Sequence, residues 1–190
     1  MREKTEEVRD AFTTVEETVS RPLLSGCHYL RAYVDKAQRH SPFVTTILPR
    51  TVLAGGIEID GDYIDAGTEV GASIYDIHHN EEYYPASFRY LPDRWIAADS
   101  STREKAKVDT THKAFAAFSL GLRGFIGKNI PYVTLMTALA RILFRFEMRL
   151  RSNLGEGDPD LGQRKDEFQL TDQFNGYREG PIVELHAVKP

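Results

Sequence analysis

Phe118-Ser119-Leu120-Gly121-Leu122-Arg123-Gly124-Phe125-Ile126-Gly127 sets glycines, one arginine and two phenylalanines in the order F-x-x-G-x-R-x-F-x-G. A loop this rich in glycine must turn tightly, and the apolar run that follows predicts a long helix beginning near Ile126, with Leu135, Leu139, Ile142 and Phe146 on one stripe. Pro131 falls about a turn and a half inside that helix, where a missing N–H and a ring clash cost about 3 kcal/mol unless the first turns are distorted. Beyond it, Phe144, Phe146, Met148 and Leu150 alternate with Arg145, Glu147, Arg149 and Arg151, so the helix gives way to a strand. The tail then offers a Gly/Asp/Pro loop at 155–163 and apolar runs at 168–170 and 182–185, which predict a closing β-hairpin.

Upstream of the loop the pattern changes twice. Val8, Phe12 and Val15 recur at helical spacing among charges, predicting an amphipathic helix over 5–19. After Arg21-Pro22, Leu30, Tyr33, Val34 and Ala37 mark a second helix that carries Arg31, Lys36 and Arg39 and ends before Ser41-Pro42. From Thr45 the residues favour strands, at 46–53, 57–64 and 68–74, and Asp60-Gly61 is a two-residue hairpin turn signal because glycine accepts positive φ. For 75–112 the expectation is a short helix and then irregular chain, since Pro85, Pro92 and the polar run 99–107 interrupt any long element.

At 190 residues the chain is long enough for one domain with a real core. Its 41 % apolar and 27 % charged content and net charge of -4 describe an ordinary soluble protein without the basic excess of a nucleic-acid binder. The charged start and the lack of a long apolar run imply neither a signal peptide nor a membrane span. The single cysteine, Cys27, excludes an internal disulfide and a cysteine-rich metal site.

The loop pattern resembles that of the cytochromes P-450, the haem-thiolate monooxygenases, whose signature is F-x-x-G-x-R-x-C-x-G. Residues 29–39 resemble the family's E-x-x-R helix, Ile47-Leu48-Pro49-Arg50 the strand after it, 56–70 its β-hairpin, and 78–85 with 88–95 its meander. The resemblance covers nearly the whole chain and is nearest to enzymes of filamentous-fungal secondary metabolism. It implies an α+β fold, mainly helical with small antiparallel sheets, corresponding to the C-terminal portion of the cytochrome P-450 fold. Its expected parts are a helix and linker at 1–24, the E-x-x-R-type helix at 25–44, a small sheet at 45–74, a meander at 75–117, the ligand loop at 118–127, and the long helix with C-terminal strands at 128–190. The same resemblance makes Arg50 and Arg123 haem-propionate positions, Phe125 the position of the thiolate ligand, and Lys36, Arg39 and Arg94 the members of a structural ion network.

Three departures from the family pattern bear on function. Phenylalanine offers iron no lone pair, whereas the thiolate both anchors haem and donates the electron density that favours O–O cleavage. Lys36 stands where the E-x-x-R motif has glutamate; beside Arg39 and Arg94, each like-charge pair at 4 Å costs about 4 kcal/mol at an effective dielectric of 20, so Lys36 must swing away or the local structure must differ. Asp35 points elsewhere on the helix, although it is spaced to pair with Arg39 at i, i+4. Pro131 is the third departure. Among other candidates, His112 reads as a solvated loop histidine rather than a replacement iron ligand, His78 and His79 as surface residues that diverge rather than share a metal face, and Cys27 as an inert small residue even though a helix N-terminus can lower a thiol pKa. The aromatic cluster Tyr83, Tyr84, Phe88, Tyr90 and Trp95 reads as packing.

The expectation is therefore a truncated, degenerate cytochrome P-450-like protein of a secondary-metabolite pathway, missing the family's oxygen-activating helix, without haem and without self-contained oxygenase activity. Two alternatives stand beside it: a recruited haem-independent catalyst that cyclises, isomerises or dehydrates a small-molecule pathway intermediate, for which no acid–base pair marks a site, and a non-catalytic partner of an intact monooxygenase. Localisation is expected in the cytoplasm or peripheral to the endoplasmic reticulum, with no nucleic acid and no metal site.

Overall fold

The computed structural model describes residues 2–44, 47–98, 101–152, 164, 171–173, 175–177 and 180–188. Six helices, α1 (Arg2–Ala11), α2 (Arg21–Gly26), α3 (His28–His40), α4 (Ile74–His79), α5 (Thr102–Lys113) and α6 (Asn129–Arg145), dominate them. Eight short strands form four antiparallel pairs: β1 (Arg50–Thr51) with β4 (Glu69–Val70), β2 (Ile57–Ile59) with β3 (Asp62–Ile64), β5 (Phe146–Ser152) with β8 (Ile182–Ala187), and β6 (Thr171–Gln173) with β7 (Asn175–Tyr177). This is the mainly helical α+β arrangement expected of part of a cytochrome P450 fold.

The core lies where α1, α2, α3 and α6 meet, with Val8, Phe12, Leu24, Cys27, Leu30, Val34, Tyr132, Met136, Ala140 and Leu143 buried together. Burying each large apolar side chain of this set contributes about 1.5–3 kcal/mol. The buried stripe of α6 is Tyr132, Met136, Ala140 and Leu143, whereas Leu135 of the expected stripe is exposed. The helix is apolar on both faces, so spacing alone does not orient it. A hydrogen bond does: the Tyr132 hydroxyl donates to Asp35 Oδ1 at 2.7 Å and pins that face against α3.

Several boundaries differ from expectation for local reasons. Helix α6 starts at Asn129, so Pro131 is its third residue. The N–H that proline lacks has no intrahelical partner in a first turn, and Pro131 is therefore no departure. Helix α1 ends at Ala11, because Glu17 folds back and its carboxylate accepts from the backbone N–H groups of Thr13 and Thr14; only a single 3-10 turn follows, at Glu16–Val19. The polar run expected to be irregular enters α5, a twelve-residue helix whose N-terminus is capped by the Ser101 side chain accepting from the Glu104 N–H at 3.3 Å. A serine followed three residues later by glutamate is a helix-start signal that the polarity of the run concealed.

Asp60 and Gly61 make the β2–β3 turn with φ of 57° and 91°, the pair of positive values that a type I′ turn demands. Residues 182–187 pair with β5. The 168–170 run of the expected closing hairpin and the 155–163 loop lie outside the described residues. The N-terminus of α3 is capped from a distance, the Glu7 carboxylate accepting from the N–H groups of Tyr29 and Leu30, each at 2.9 Å. That contact fixes α1 against α3 and places a negative charge on the positive end of the helix.

Candidate functional site

The signature loop is closed by the Phe125 N–H donating to the Phe118 carbonyl at 2.8 Å. Ser119 and Gly121, with φ of 58° and 66°, turn the chain into the short 3-10 segment Gly121–Arg123. The Phe125 ring stacks on Phe118 with centroids 6.2 Å apart and folds over Gly127, where an added Cβ would come within 2.9 Å of the ring. Phe118 in turn meets Tyr132 at 5.3 Å, and the Arg31 guanidinium lies 3.6 Å from the Tyr132 ring centroid. The residue at the ligand position is thus the outer end of an aromatic row running inward to α3.

A haem-thiolate does not fit this donor set. Phe125 has no donor atom, and the only polar side chains of the loop are Ser119 and Arg123. Arg123 is exposed, and Arg50 on β1 is exposed with its guanidinium donating to the neighbouring Pro49 carbonyl at 3.0 Å. Cys27 is buried in the core, and burial, reinforced by Glu7, pushes its thiol up to about 11. This is the reverse of helix-terminus activation and agrees with an inert side chain. His112 sits in the last turn of α5, edge-on to Trp95 at 5.2 Å, rather than in a loop. Among the described residues, no three His, Cys, Asp or Glu side chains are grouped to hold a metal ion, and no helix is long and apolar enough to cross a membrane.

The second cluster is polar and buried. Arg39, fully buried on α3, donates through Nη1 to the His78 carbonyl and through Nη2 to the Ser87 carbonyl, and lies over the Tyr84 ring at 4.8 Å. Arg94 donates to the Pro85 carbonyl at 2.8 Å and the Ala86 carbonyl at 3.4 Å. Burial first, and Arg94 second, lower the Arg39 pKa to about 10. Both arginines keep a buried Nε–H that has no acceptor among the described residues. Lys36, also fully buried, is directed to the other side, with Nζ 3.3 Å from His40 Nδ1 and 5.2 Å from the Tyr90 ring centroid. Asp35 does not pair with Arg39: its carboxylate is taken by Arg31 at 2.8 Å and by the Tyr132 hydroxyl.

His78 and His79 are buried, contrary to the surface placement expected for them. His78 Nε2 accepts from the Ala116 N–H at 2.9 Å, which makes Nδ1 the protonated nitrogen that donates to the Arg39 carbonyl at 3.1 Å. One neutral imidazole thereby ties α3 and α4 to the segment entering the signature loop. Burial, then the positive charge of Arg39, holds its pKa down to about 3. His79 lies between the rings of Tyr75 and Phe88, at 4.1 and 4.6 Å, and burial lowers it to about 4. Of the aromatic cluster, Tyr84 and Trp95 are buried packing, while Tyr83 and Tyr90 remain exposed. Sequence reasoning missed His78 and Glu81; the available signal was only that adjacent histidines on a short helix occupy different faces, one of which can point inward.

The comparison with known families identifies the fold: the cytochrome P450 family model matches residues 1–171, and the chain belongs to that family. It is 37 % identical over 183 residues to cytochrome P450 monooxygenase apf8 of Gibberella fujikuroi, the match covering 95 % of this chain and 49 % of that protein. Cytochrome P450 monooxygenase atnE of Emericella nidulans is 35 % identical over 180 residues, covering 95 % of this chain and 34 % of the relative. For cytochrome P450 monooxygenase lcsN of Purpureocillium lilacinum the figures are 35 % over 181 residues, 94 % and 52 %. The chain therefore spans about a third to a half of the length of these relatives.

Proposed function

We propose that this chain is a degenerate cytochrome P450-like protein of a secondary-metabolite pathway, without bound haem and without oxygenase activity of its own, acting in the cytoplasm or at the surface of the endoplasmic reticulum. The observation that carries this reading is Phe125: the position that must give iron a thiolate holds a ring stacked on Phe118 and folded over Gly127. Without a thiolate, neither the iron anchor nor the electron donation that cleaves the O–O bond is available. Arg50 and Arg123 are then propionate positions without a propionate, free to face solvent.

The test is size-exclusion chromatography of the recombinant protein, produced with a haem precursor and followed in the Soret region as well as at 280 nm. A folded peak without Soret absorbance is expected. Soret absorbance that stays with the protein through washing overturns the reading.

A non-catalytic association with an intact monooxygenase is a second reading, and exposed apolar side chains favour it. Leu122, Ile126 and Ile130 are 105 %, 98 % and 73 % exposed, next to a half-exposed Phe125. A patch of this kind marks an interaction surface more often than a solvated one. Co-elution with a pathway monooxygenase, abolished by Leu122→Asp, is the expected result under this reading; independent elution removes it.

A further inference from the structure

We infer that Glu81 has taken over the organising role of the carboxylate lost at position 36, acting on Arg39 and Arg94 through the turn 85–87 that all three side chains grip. The Glu81 carboxylate accepts from the Ala86 N–H at 2.6 Å, from the Ser87 N–H at 3.0 Å and from the Ser87 hydroxyl at 2.8 Å. The carbonyls of the same turn face the arginines: Pro85 and Ala86 accept from Arg94, and Ser87 accepts from Arg39. The turn is a polar bridge, anionic on its amide side and cationic on its carbonyl side, so each hydrogen bond polarises the next.

Ala86 shows why the turn needs holding. Its φ is 53°, a left-handed conformation that disfavours any residue with a Cβ. Such a backbone persists only where its surroundings over-determine it, and here the Ala86 N–H is held by Glu81 while its carbonyl is held by Arg94. Glu81 is itself exposed, and its effect comes from hydrogen bonds to backbone amides rather than from a solvent-screened ion pair. Those bonds hold its carboxyl below the usual glutamate range, with Arg94 adding to them. On the far side of the bridge, the buried Nε–H groups of Arg39 and Arg94 have no acceptor among the described residues.

The test is a double-mutant cycle in urea on the full chain. Glu81→Gln is expected to lower the unfolding midpoint by about 0.5 M, while the adjacent Glu82→Gln leaves it unchanged. Lys36→Glu, which offers the two orphaned Nε–H groups an acceptor, is expected to raise the midpoint, and in its background the loss caused by Glu81→Gln shrinks to less than half. Equal effects of the two glutamine variants, or strict additivity of Glu81→Gln with Lys36→Glu, overturn the inference. Native-state amide exchange of the unmodified chain supplies an independent readout should Glu81→Gln fail to fold. Protected Ala86 and Ser87 amides support the bridge, and exchange at random-coil rates refutes it.

Discussion

The signature loop and the arginine–histidine cluster meet α3 at different points, the first through Arg31 and Asp35 and the second through Arg39, and they have fared differently. In the loop the glycines and arginine of the family pattern are kept, with Gly121–Arg123 in a short 3-10 turn, but the position where that pattern has cysteine holds an apolar ring. In the cluster the motif glutamate is gone, yet Arg39, Arg94 and His78 hold backbone partners and only the Nε–H groups of the two arginines go without one among their described neighbours, while Lys36 has been accommodated against His40 and Tyr90. The difference teaches that the two sites answer to different pressures. A ligand position matters only for the reaction, so losing it leaves the fold intact; a buried guanidinium matters for folding whatever the protein does, so its partners must be found elsewhere.

The strongest way to break this comparison is Arg39→Ala. It leaves the His78 and Ser87 carbonyls without their donors, at about 1–3 kcal/mol each, and is expected to cost about 2–6 kcal/mol in all, enough to unfold a marginal chain. Urea unfolding or loss of soluble expression checks it, and a shift below about 1 kcal/mol would show the cluster to be dispensable.

Acid sharpens the same contrast. Both buried histidines have folded pKa values, about 3 and about 4, below the ordinary 6.5. In the unfolded chain they protonate first, so their contribution is complete above pH 6.5 and is lost as the pH falls towards those lower values. Stability should therefore drop over that window by up to about 1.4 kcal/mol per pH unit for each histidine. Urea midpoints measured at pH 7, 6 and 5 test the slope, and His78→Gln should flatten it. A flat profile in the unmodified chain would place both imidazoles in water.

Tyr132→Phe should cost about 1 kcal/mol, because Asp35 keeps Arg31 after losing the hydroxyl. Thermal unfolding reads this as a shift of a few degrees. At the bottom of the scale, Arg123→Ala is expected to change stability by no more than about 0.5 kcal/mol, since its guanidinium is exposed. A large loss there would mean that the loop is still under structural selection.

Much of the fold was legible from local chemistry. The α3 boundaries followed from Ser41-Pro42 and the spacing of Leu30 and Val34, and the Asp60-Gly61 turn followed from a residue pair that accepts the positive φ values the structure shows. The start of α6 was misjudged because glycines and apolar residues look alike on either side of a helix boundary, and this made Pro131 look like damage. Residues 102–113 were missed as a helix because their stability comes from a cap and charge spacing rather than from an apolar stripe. Of the site, Phe125 and Lys36 were visible as substitutions in a motif, whereas their partners were not.

The sequence by itself determined that this is a cytochrome P450 chain with phenylalanine at the position of the iron ligand, because a motif is a statement about residue type at fixed spacing, and a side chain without a lone pair lacks one in any conformation. Only the tertiary structure decided which face of α6 is buried, which nitrogen of His78 carries the proton, and which carboxylate serves the turn between Arg39 and Arg94. The first two are settled by contacts between residues tens of positions apart, Tyr132 with Asp35 and Ala116 with His78; the third joins the long-range contact of Ser87 with Arg39 to the local grip of Glu81 on Ala86 and Ser87.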